Sequence, residues 1–168
     1  MTDDNLTRFI ALDGLDDSRQ ALLELLESMQ RTLYWYTPLV RPELYDDPEI
    51  IDAIRARVVE QSKVRLHLIL PPAQEWRNGC PRLARLGERL TTALLLRTPN
   101  REEVPARLEL SQAFVISDEQ ALLRFSDPRR LLGRYEPQPS ERMKELLELF
   151  HAVWNRSQPD PDLRWLGI

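Results

Sequence analysis

Helical and strand-like patterns alternate through the first hundred residues of the chain, and this alternation constrains its fold more than any other feature. Apolar residues at helical spacing predict helices over residues 16–30, 46–62 and 80–92. Short apolar runs between and after them, with a pattern typical of strands, predict strands at 31–37, 64–70 and 93–98. Strands that follow one another through crossover helices are parallel, because each helix returns the chain to the same end of the sheet.

The second half of the chain has a different pattern. Strands are predicted at 108–117 and 121–126, joined by a tight turn, and a last helix is predicted over 139–157. A hairpin of this kind adds antiparallel strands to the parallel ones. The sequence therefore predicts an α/β fold with a single domain over residues 1–168, in which a mixed sheet has helices on both faces.

The ends of the predicted elements give more detailed expectations. Residues 7–12 are expected to form a short edge strand, residues 1–6 to be frayed and residues 157–168 to form a tail. Asp16 or Asp17 is expected to cap the first helix, and Asp46 or Asp47 the second. The apolar stripe of the second helix is expected to place five residues against the core: Ile50, Ile51, Ile54, Val58 and Val59.

Composition limits the classes of function. The net charge of −4 gives no general attraction to nucleic acid or to an anionic membrane, so nucleic acid is not the expected partner. Lys63 and Lys144 are the only lysines. The preference for arginine reflects either a GC-rich genome or a local anion site that uses bidentate contacts. Cys80 is the only cysteine. No signal peptide is expected, because the first ten residues lack a basic start followed by an apolar run, and no apolar run reaches membrane length. A cytoplasmic location is therefore expected.

The hairpin segment LELSQAFVISDEQALLRFSDP, residues 108–128, carries polar residues at a recognisable spacing. Together with the element order and the strand VRLHLIL, it resembles one half of the phospholipase D superfamily over about residues 15–156. The signature of that superfamily is His-x-Lys, four residues, Asp, six residues and Gly-Ser-x-Asn. Its positions fall here on Ser111, Ala113, Asp118, Phe125, Ser126 and Pro128.

The resemblance implies a degenerate active site. In the superfamily the histidine is the nucleophile, the lysine binds phosphate oxygens, and two copies of the motif build one site. Ser111 needs a neighbouring base to act as a nucleophile, and Ala113 carries no positive charge. The two matching residues, Asp118 and Ser126, can also be explained as turn residues. We therefore expect a catalytically inactive binding or scaffold module. The alternatives are a diverged phosphodiesterase or a nucleic-acid-binding protein.

The loops that follow the predicted parallel strands supply the candidate binding residues, because ligands of such sheets bind beyond the carboxyl ends of the strands. Trp76 stands beside two polar residues in one of these loops, although it can equally cover the edge of the core. No Gly-rich phosphate loop and no metal-ligand spacing occurs, so no metal or cofactor is expected. Cys80 is expected to be inert. The binding candidates are Tyr36, Thr37, Trp76, Arg77, Asn78 and Arg97.

Two expectations concern assembly. Superfamily members with one motif pair to complete a site, which implies a homodimer if this chain retains the pairing surface. The apolar residues of the tail, Leu163, Trp165 and Leu166, would either help to close such a dimer or fold back on their own domain. The chain also resembles degenerate proteobacterial domains that accompany acetyltransferase domains of the GNAT type, which implies such a domain as a candidate partner.

Overall fold

One mixed sheet of eight strands lies at the centre of the protein. The computed structural model describes residues 8–163. Across the sheet the strands are ordered β1-β7-β6-β5-β2-β3-β4-β8, with the labels numbered along the chain. The strands are β1 (Ile10–Asp13), β2 (Thr32–Tyr36), β3 (Arg65–Ile69), β4 (Leu94–Pro99), β5 (Ala113–Ser117), β6 (Ala121–Asp127), β7 (Leu132–Glu136) and β8 (Ser157–Pro159). The helices are α1 (Leu15–Ser28), α2 (Pro42–Tyr45), α3 (Pro48–Glu60), α4 (Pro81–Arg89) and α5 (Glu141–Trp154).

The predicted α/β class and the mixed sheet are confirmed. Strands β2, β3 and β4 are parallel, because α3 and α4 carry the chain back between them. All other strand pairs are antiparallel. Consequently the carboxyl ends of β2, β3 and β4 meet at one edge of the sheet, and β5 begins beside them.

The sheet separates two hydrophobic cores. One core packs the apolar stripes of α1, α3 and α4 against one face of the sheet and includes Leu22, Trp35 and Phe125. The other core packs α5 against the opposite face and includes Phe114 and Phe150. We call the side covered by the last helix the α5 face. Alternation along each strand decides which core a residue enters, since neighbouring side chains point to opposite faces.

Two predictions of local detail were wrong. Helix α1 begins at Leu15, so its N-cap is Gly14 and the predicted caps Asp16 and Asp17 lie inside the first turn. There the Asp17 carboxylate accepts a hydrogen bond from the Asp13 backbone N–H at 3.0 Å. Val59 was expected in the core but is 77% exposed, because its helical position lies outside the buried stripe. Asp47 caps α3, as expected, by accepting from two backbone N–H groups.

The hairpin region also departs from the prediction. Residues 108–111 form a short 3-10 helix instead of strand, and β5 starts only at Ala113. Strands β7 and β8 and helix α2 were not predicted, because they are short and their sequences lack a clear apolar alternation. Strand β8 and buried Leu163 lie within the predicted tail. Trp165, Leu166 and residues 1–6 lie outside the described residues.

None of the helices within residues 8–163 combines the length and the apolar character that crossing a bilayer requires.

Candidate functional site

The first two motif positions lie at the start of β5 and differ in their surroundings. Ser111 is exposed at the end of the 3-10 helix, where its hydroxyl donates to the Leu108 carbonyl at 2.7 Å. Ala113 is only 1% exposed and belongs to the core formed by α1, α3 and α4. It lies directly opposite Phe125 on β6, which is also buried. The methyl group of Ala113 is therefore a packing element.

Asp118 occupies the turn at the other end of β5 and has a structural role. Its carboxylate accepts backbone N–H hydrogen bonds from Gln30, Arg31 and Thr32, at 2.7, 2.8 and 2.9 Å. Its own N–H donates to the Thr32 carbonyl at 2.9 Å. With φ of 53° it sits in the left-handed region, which Asp and Asn adopt more readily than most residues. Asp118 thus attaches the hairpin to the start of β2.

Ser126, the other residue that matches the signature, is exposed on β6. Its hydroxyl donates to the Leu132 carbonyl on β7 at 3.3 Å, close to an irregularity in the β6–β7 register. Ser111 and Asp118 lie at opposite ends of β5, so one subunit does not bring the motif positions together.

Both histidines lie on the α5 face, opposite the face that carries Ala113. The rings of His67 and His151 each contact Tyr34, with centroids 5.2 Å apart in both cases. Burial lowers the pKa of His67, and the charges of His151, Arg97 and Arg65 lower it further. The His67 imidazole is therefore neutral near pH 7, and Nδ1 is buried without a hydrogen-bond partner among the described residues.

A cavity of about 210 Å³ lies where the carboxyl ends of β2, β3 and β4 meet. We call it the strand-edge pocket. Its walls are mainly apolar, and their polar side-chain groups are those of Tyr36, Thr37 and Arg101. The lining residues are Tyr36, Thr37, Pro38, Ile69, Leu70, Pro71, Pro72, Pro99, Arg101 and Val104.

The polar groups of the strand-edge pocket are held by contacts with the chain itself. The Tyr36 hydroxyl donates to the Leu110 carbonyl at 2.6 Å, and burial raises the pKa of Tyr36 to about 12. The Thr37 hydroxyl donates to the Leu39 carbonyl. Arg101 forms an ion pair with Glu75. The pocket is therefore largely apolar, and Arg101 is the only charged residue that lines it within residues 8–163.

The other sequence-predicted binding residues lie elsewhere. Trp76 is buried in the core, and its indole N–H donates to the Pro71 carbonyl at 2.8 Å. Arg77 and Asn78 line a separate polar groove beside α4, where Arg77 contacts Glu88 at 3.0 Å. Arg97 lines a third cavity, and its guanidinium lies 4.3 Å from the centre of the Trp154 ring. The six candidates thus divide among four places, and only Tyr36 and Thr37 share the strand-edge pocket.

Several residues of the pocket were not among the predicted candidates, although the sequence contains a signal for them. A proline follows or ends each parallel strand: Pro38 after β2, Pro71 after β3 and Pro99 in β4. Because these strands are parallel, the three prolines meet at one edge and form the pocket wall. Strand-ending prolines in successive parallel strands therefore indicate where the edge opens.

Cys80 is fully buried at the N-cap of α4. Burial raises the pKa of its thiol to about 12, and the charges of Asp46 and Glu43 add to the effect. The reactive form of cysteine is the thiolate, so this thiol is unreactive near neutral pH.

Replacement of Asp118 tests its structural role. We expect Asp118→Ala to lower the free energy of unfolding by about 2–4 kcal/mol, since three charge-assisted hydrogen bonds are lost and the left-handed backbone becomes strained. Asp118→Asn keeps one acceptor oxygen and tolerates this backbone, so it should lower the free energy of unfolding by less than Asp118→Ala does. Urea unfolding measures both values. An alanine variant as stable as the wild type would contradict the assignment.

The sequence of this chain matches one known protein family. Residues 14–166 match the family described as Domain of unknown function (DUF7931). No curated protein sequence matches the chain significantly.

Solved structures share the fold at low sequence identity. Nuc from Salmonella typhimurium, a phospholipase D family member, has a TM-score of 0.60 at 12% identity, over 90% of this chain and 98% of Nuc. NucT from Helicobacter pylori has a TM-score of 0.62 at 9% identity, over 90% of this chain and 98% of NucT. TrmBL2, an archaeal chromatin protein with a novel mode of DNA binding, has a TM-score of 0.62 at 16% identity. That match covers 92% of this chain but 55% of TrmBL2. The protein therefore has a phospholipase-D-like fold and belongs to the DUF7931 family.

Proposed function

We propose that the protein is a catalytically inactive phospholipase-D-like binding module that works in the cytoplasm and takes its ligand in the strand-edge pocket. The observation that best supports the proposal is the burial of Ala113, at the position where the superfamily has its lysine. A methyl group in a packed core cannot stabilise negative charge, whereas phosphoryl transfer depends on positioned positive charge.

The surroundings of Ser111 support the same proposal. A serine nucleophile needs a base within hydrogen-bond reach to take its proton. The Ser111 hydroxyl instead donates to the Leu108 carbonyl, and both imidazoles, of His67 on β3 and His151 on α5, contact Tyr34. Neither the nucleophile nor the phosphate-binding lysine of the superfamily therefore has a replacement at the motif positions.

An activity assay tests the absence of catalysis. We expect no hydrolysis of bis(p-nitrophenyl) phosphate or of single- or double-stranded DNA, because removing a catalytic unit costs many orders of magnitude in rate. Product release is measured for the wild type and for Ser111→Ala. Ser126→Ala, which removes another exposed hydroxyl, is the matched control. Activity that disappears in Ser111→Ala and persists in Ser126→Ala would contradict the proposal and favour a diverged phosphodiesterase.

The position and chemistry of the strand-edge pocket support a binding role. In open α/β sheets, ligands bind beyond the carboxyl ends of the parallel strands, which is where this cavity lies. Four prolines and Tyr36 give it rigid walls, so a ligand would find the pocket preformed and would lose little binding energy to reorganisation. Its volume suits a small apolar group, and Arg101 at its wall suits a ligand with one polar or anionic end.

A blocking substitution tests the pocket. Val104 lines it from the loop after β4 and is partly exposed, so Val104→Trp should fill the cavity with little effect on the fold. Val59→Trp makes the same change at an exposed position on α3. We expect apolar fragments found by ligand-observed NMR to bind the wild type and Val59→Trp but not Val104→Trp. Binding that is equal in all three proteins would exclude this pocket.

We further propose that the protein forms a homodimer through the edge that carries Ser111. Leu108, in the 3-10 helix that ends at Ser111, is 75% exposed, which supports an apolar contact there. Light scattering at tens of micromolar should give the mass of a dimer, and Leu108→Glu should give that of a monomer. Val59→Glu, a like change at another exposed position, should remain dimeric. A monomeric wild type would contradict the proposal.

A further inference from the structure

Two arginines lie directly opposite each other on neighbouring strands. Arg124 on β6 pairs with Arg134 on β7. Arg124 also lies opposite Phe114, which belongs to the α5 core, so both arginines project from the α5 face. Like charges directly opposite on one face destabilise a sheet. The fold alone therefore gives no reason for this pair.

A third arginine adds to the positive charge. Arg142 lies in the first turn of α5, where the partial positive charge of the helix N-terminus disfavours a cation. Its charge acts on Arg124, as does the charge of Arg134. We call Arg124, Arg134 and Arg142 the arginine cluster.

Carboxylates neutralise this cluster only in part. Arg142 contacts Glu109 at 3.7 Å and Glu145 at 3.4 Å. Within residues 8–163, neither Arg124 nor Arg134 has a carboxylate oxygen within 4 Å. Glu136 is the acidic group that acts on Arg124, from farther away. Within the described residues, neither arginine is therefore balanced by a carboxylate in direct contact.

Partial burial makes this arrangement costly for the folded chain. Arg124 is half-buried, and its Nε atom is buried without a hydrogen-bond partner in the described part of the chain. Nε of Arg142 is in the same state. Burial, followed by the charges of Arg142 and Arg134, lowers the pKa of Arg124. A half-buried cation without a close counter-ion is destabilising, and such groups concentrate at functional sites.

The surface around the cluster is accessible. Helix α5 packs on β2, β4, β5 and β8, and the side chains of Arg124 and Arg134 on the outer strands β6 and β7 remain partly exposed. Phe9, which is half-exposed, lies beside this surface, with the Arg134 guanidinium 4.2 Å from its ring centre. A shallow face with two adjacent guanidinium groups fits an anion with several oxygens, because each guanidinium can donate two parallel hydrogen bonds.

We propose that the arginine cluster binds a phosphate group, carried either by a small phosphate compound or by a nucleic-acid backbone. The site lies on the opposite face of the sheet from Ala113 and does not depend on the strand-edge pocket. A bound phosphate supplies the negative charge that Arg124 and Arg134 lack and relieves the repulsion between them. The cluster thus combines an energetic cost in the free protein with a gain on binding.

Thermal unfolding with and without pyrophosphate, at constant ionic strength set with NaCl, tests the site. We expect pyrophosphate to raise the Tm of the wild type by several degrees and to bind Arg134→Gln at least about tenfold more weakly, since one charge-assisted contact is lost. Arg129→Gln, at an exposed position in the β6–β7 turn, is the matched control and should respond like the wild type. No wild-type shift, or an equal loss in Arg129→Gln, would overturn the proposal.

Stability without ligand distinguishes a binding role from a structural one. If the cluster serves binding, Arg134→Gln alone should be at least as stable as the wild type, because the repulsion with Arg124 is removed. A lower Tm of the free variant together with an unchanged pyrophosphate response would show a structural role and overturn the site. Val104→Trp should leave the pyrophosphate response unchanged, which separates this site from the strand-edge pocket.

A labelled single-stranded dT oligonucleotide identifies the source of the phosphate. Fluorescence anisotropy that rises with the wild type, falls with added pyrophosphate and is absent with Arg134→Gln identifies a nucleic-acid backbone. A pyrophosphate response without oligonucleotide binding identifies a small phosphate compound. Both outcomes support the site.

Discussion

The Asp118 carboxylate links the two halves of the sheet, and the remaining geometry depends on this link. The carboxylate accepts hydrogen bonds from three backbone N–H groups of the segment that leads into β2, while the backbone N–H of Asp118 donates to the Thr32 carbonyl. This sets the register in which antiparallel β5 pairs with β2, from Leu33 opposite Ser117 to Tyr36 opposite Phe114. At the far end, the same register brings the Leu110 carbonyl to the Tyr36 hydroxyl, which closes one wall of the strand-edge pocket.

This role explains why an aspartate can occupy its motif position in a chain without the motif's histidine and lysine. Every hydrogen bond that the Asp118 carboxylate accepts comes from the backbone of residues 30–32, so its function in the fold requires no substrate and no catalytic partner. Ser111 and Ala113 lie at the other end of β5 and have no part in that contact. Changes at those two positions therefore leave the link between the halves of the sheet intact.

The long, strongly patterned elements could be predicted from the sequence, whereas the short ones could not. Helices α1, α3, α4 and α5 and strands β2 to β6 carry apolar patterns that burial imposes. Strand β7 has Gly133 at its second position, because a side chain there would meet the Arg124 carbonyl, and glycine weakens a strand signal. The 3-10 helix before β5 was predicted as strand because its leucines alternate with polar residues. Such exceptions depend on contacts with distant parts of the chain.

The candidate site was only partly predictable for a related reason. The carboxyl-end rule located the edge that opens, and Tyr36 and Thr37 do line the pocket there. It could not distinguish side chains that point into the pocket from those that turn away, as Trp76 and Arg97 do. The arginine cluster was not predicted, because Arg124, Arg134 and Arg142 are brought together by a strand register and a helix packing that the sequence does not reveal.

The order in which the two cores are completed has a consequence for synthesis of the chain. The core beneath α5 combines Tyr36 and Ile69 with Phe114, Phe150 and Val153, so its contacts span more than half of the sequence. A growing chain that has reached β4 can already pack α1 and α3 on one side, but the other side of its strands stays apolar and uncovered until α5 has left the ribosome. During that interval the nascent protein exposes an apolar surface. Folding intermediates of this kind avoid aggregation through chaperones or through rapid folding of the remaining chain.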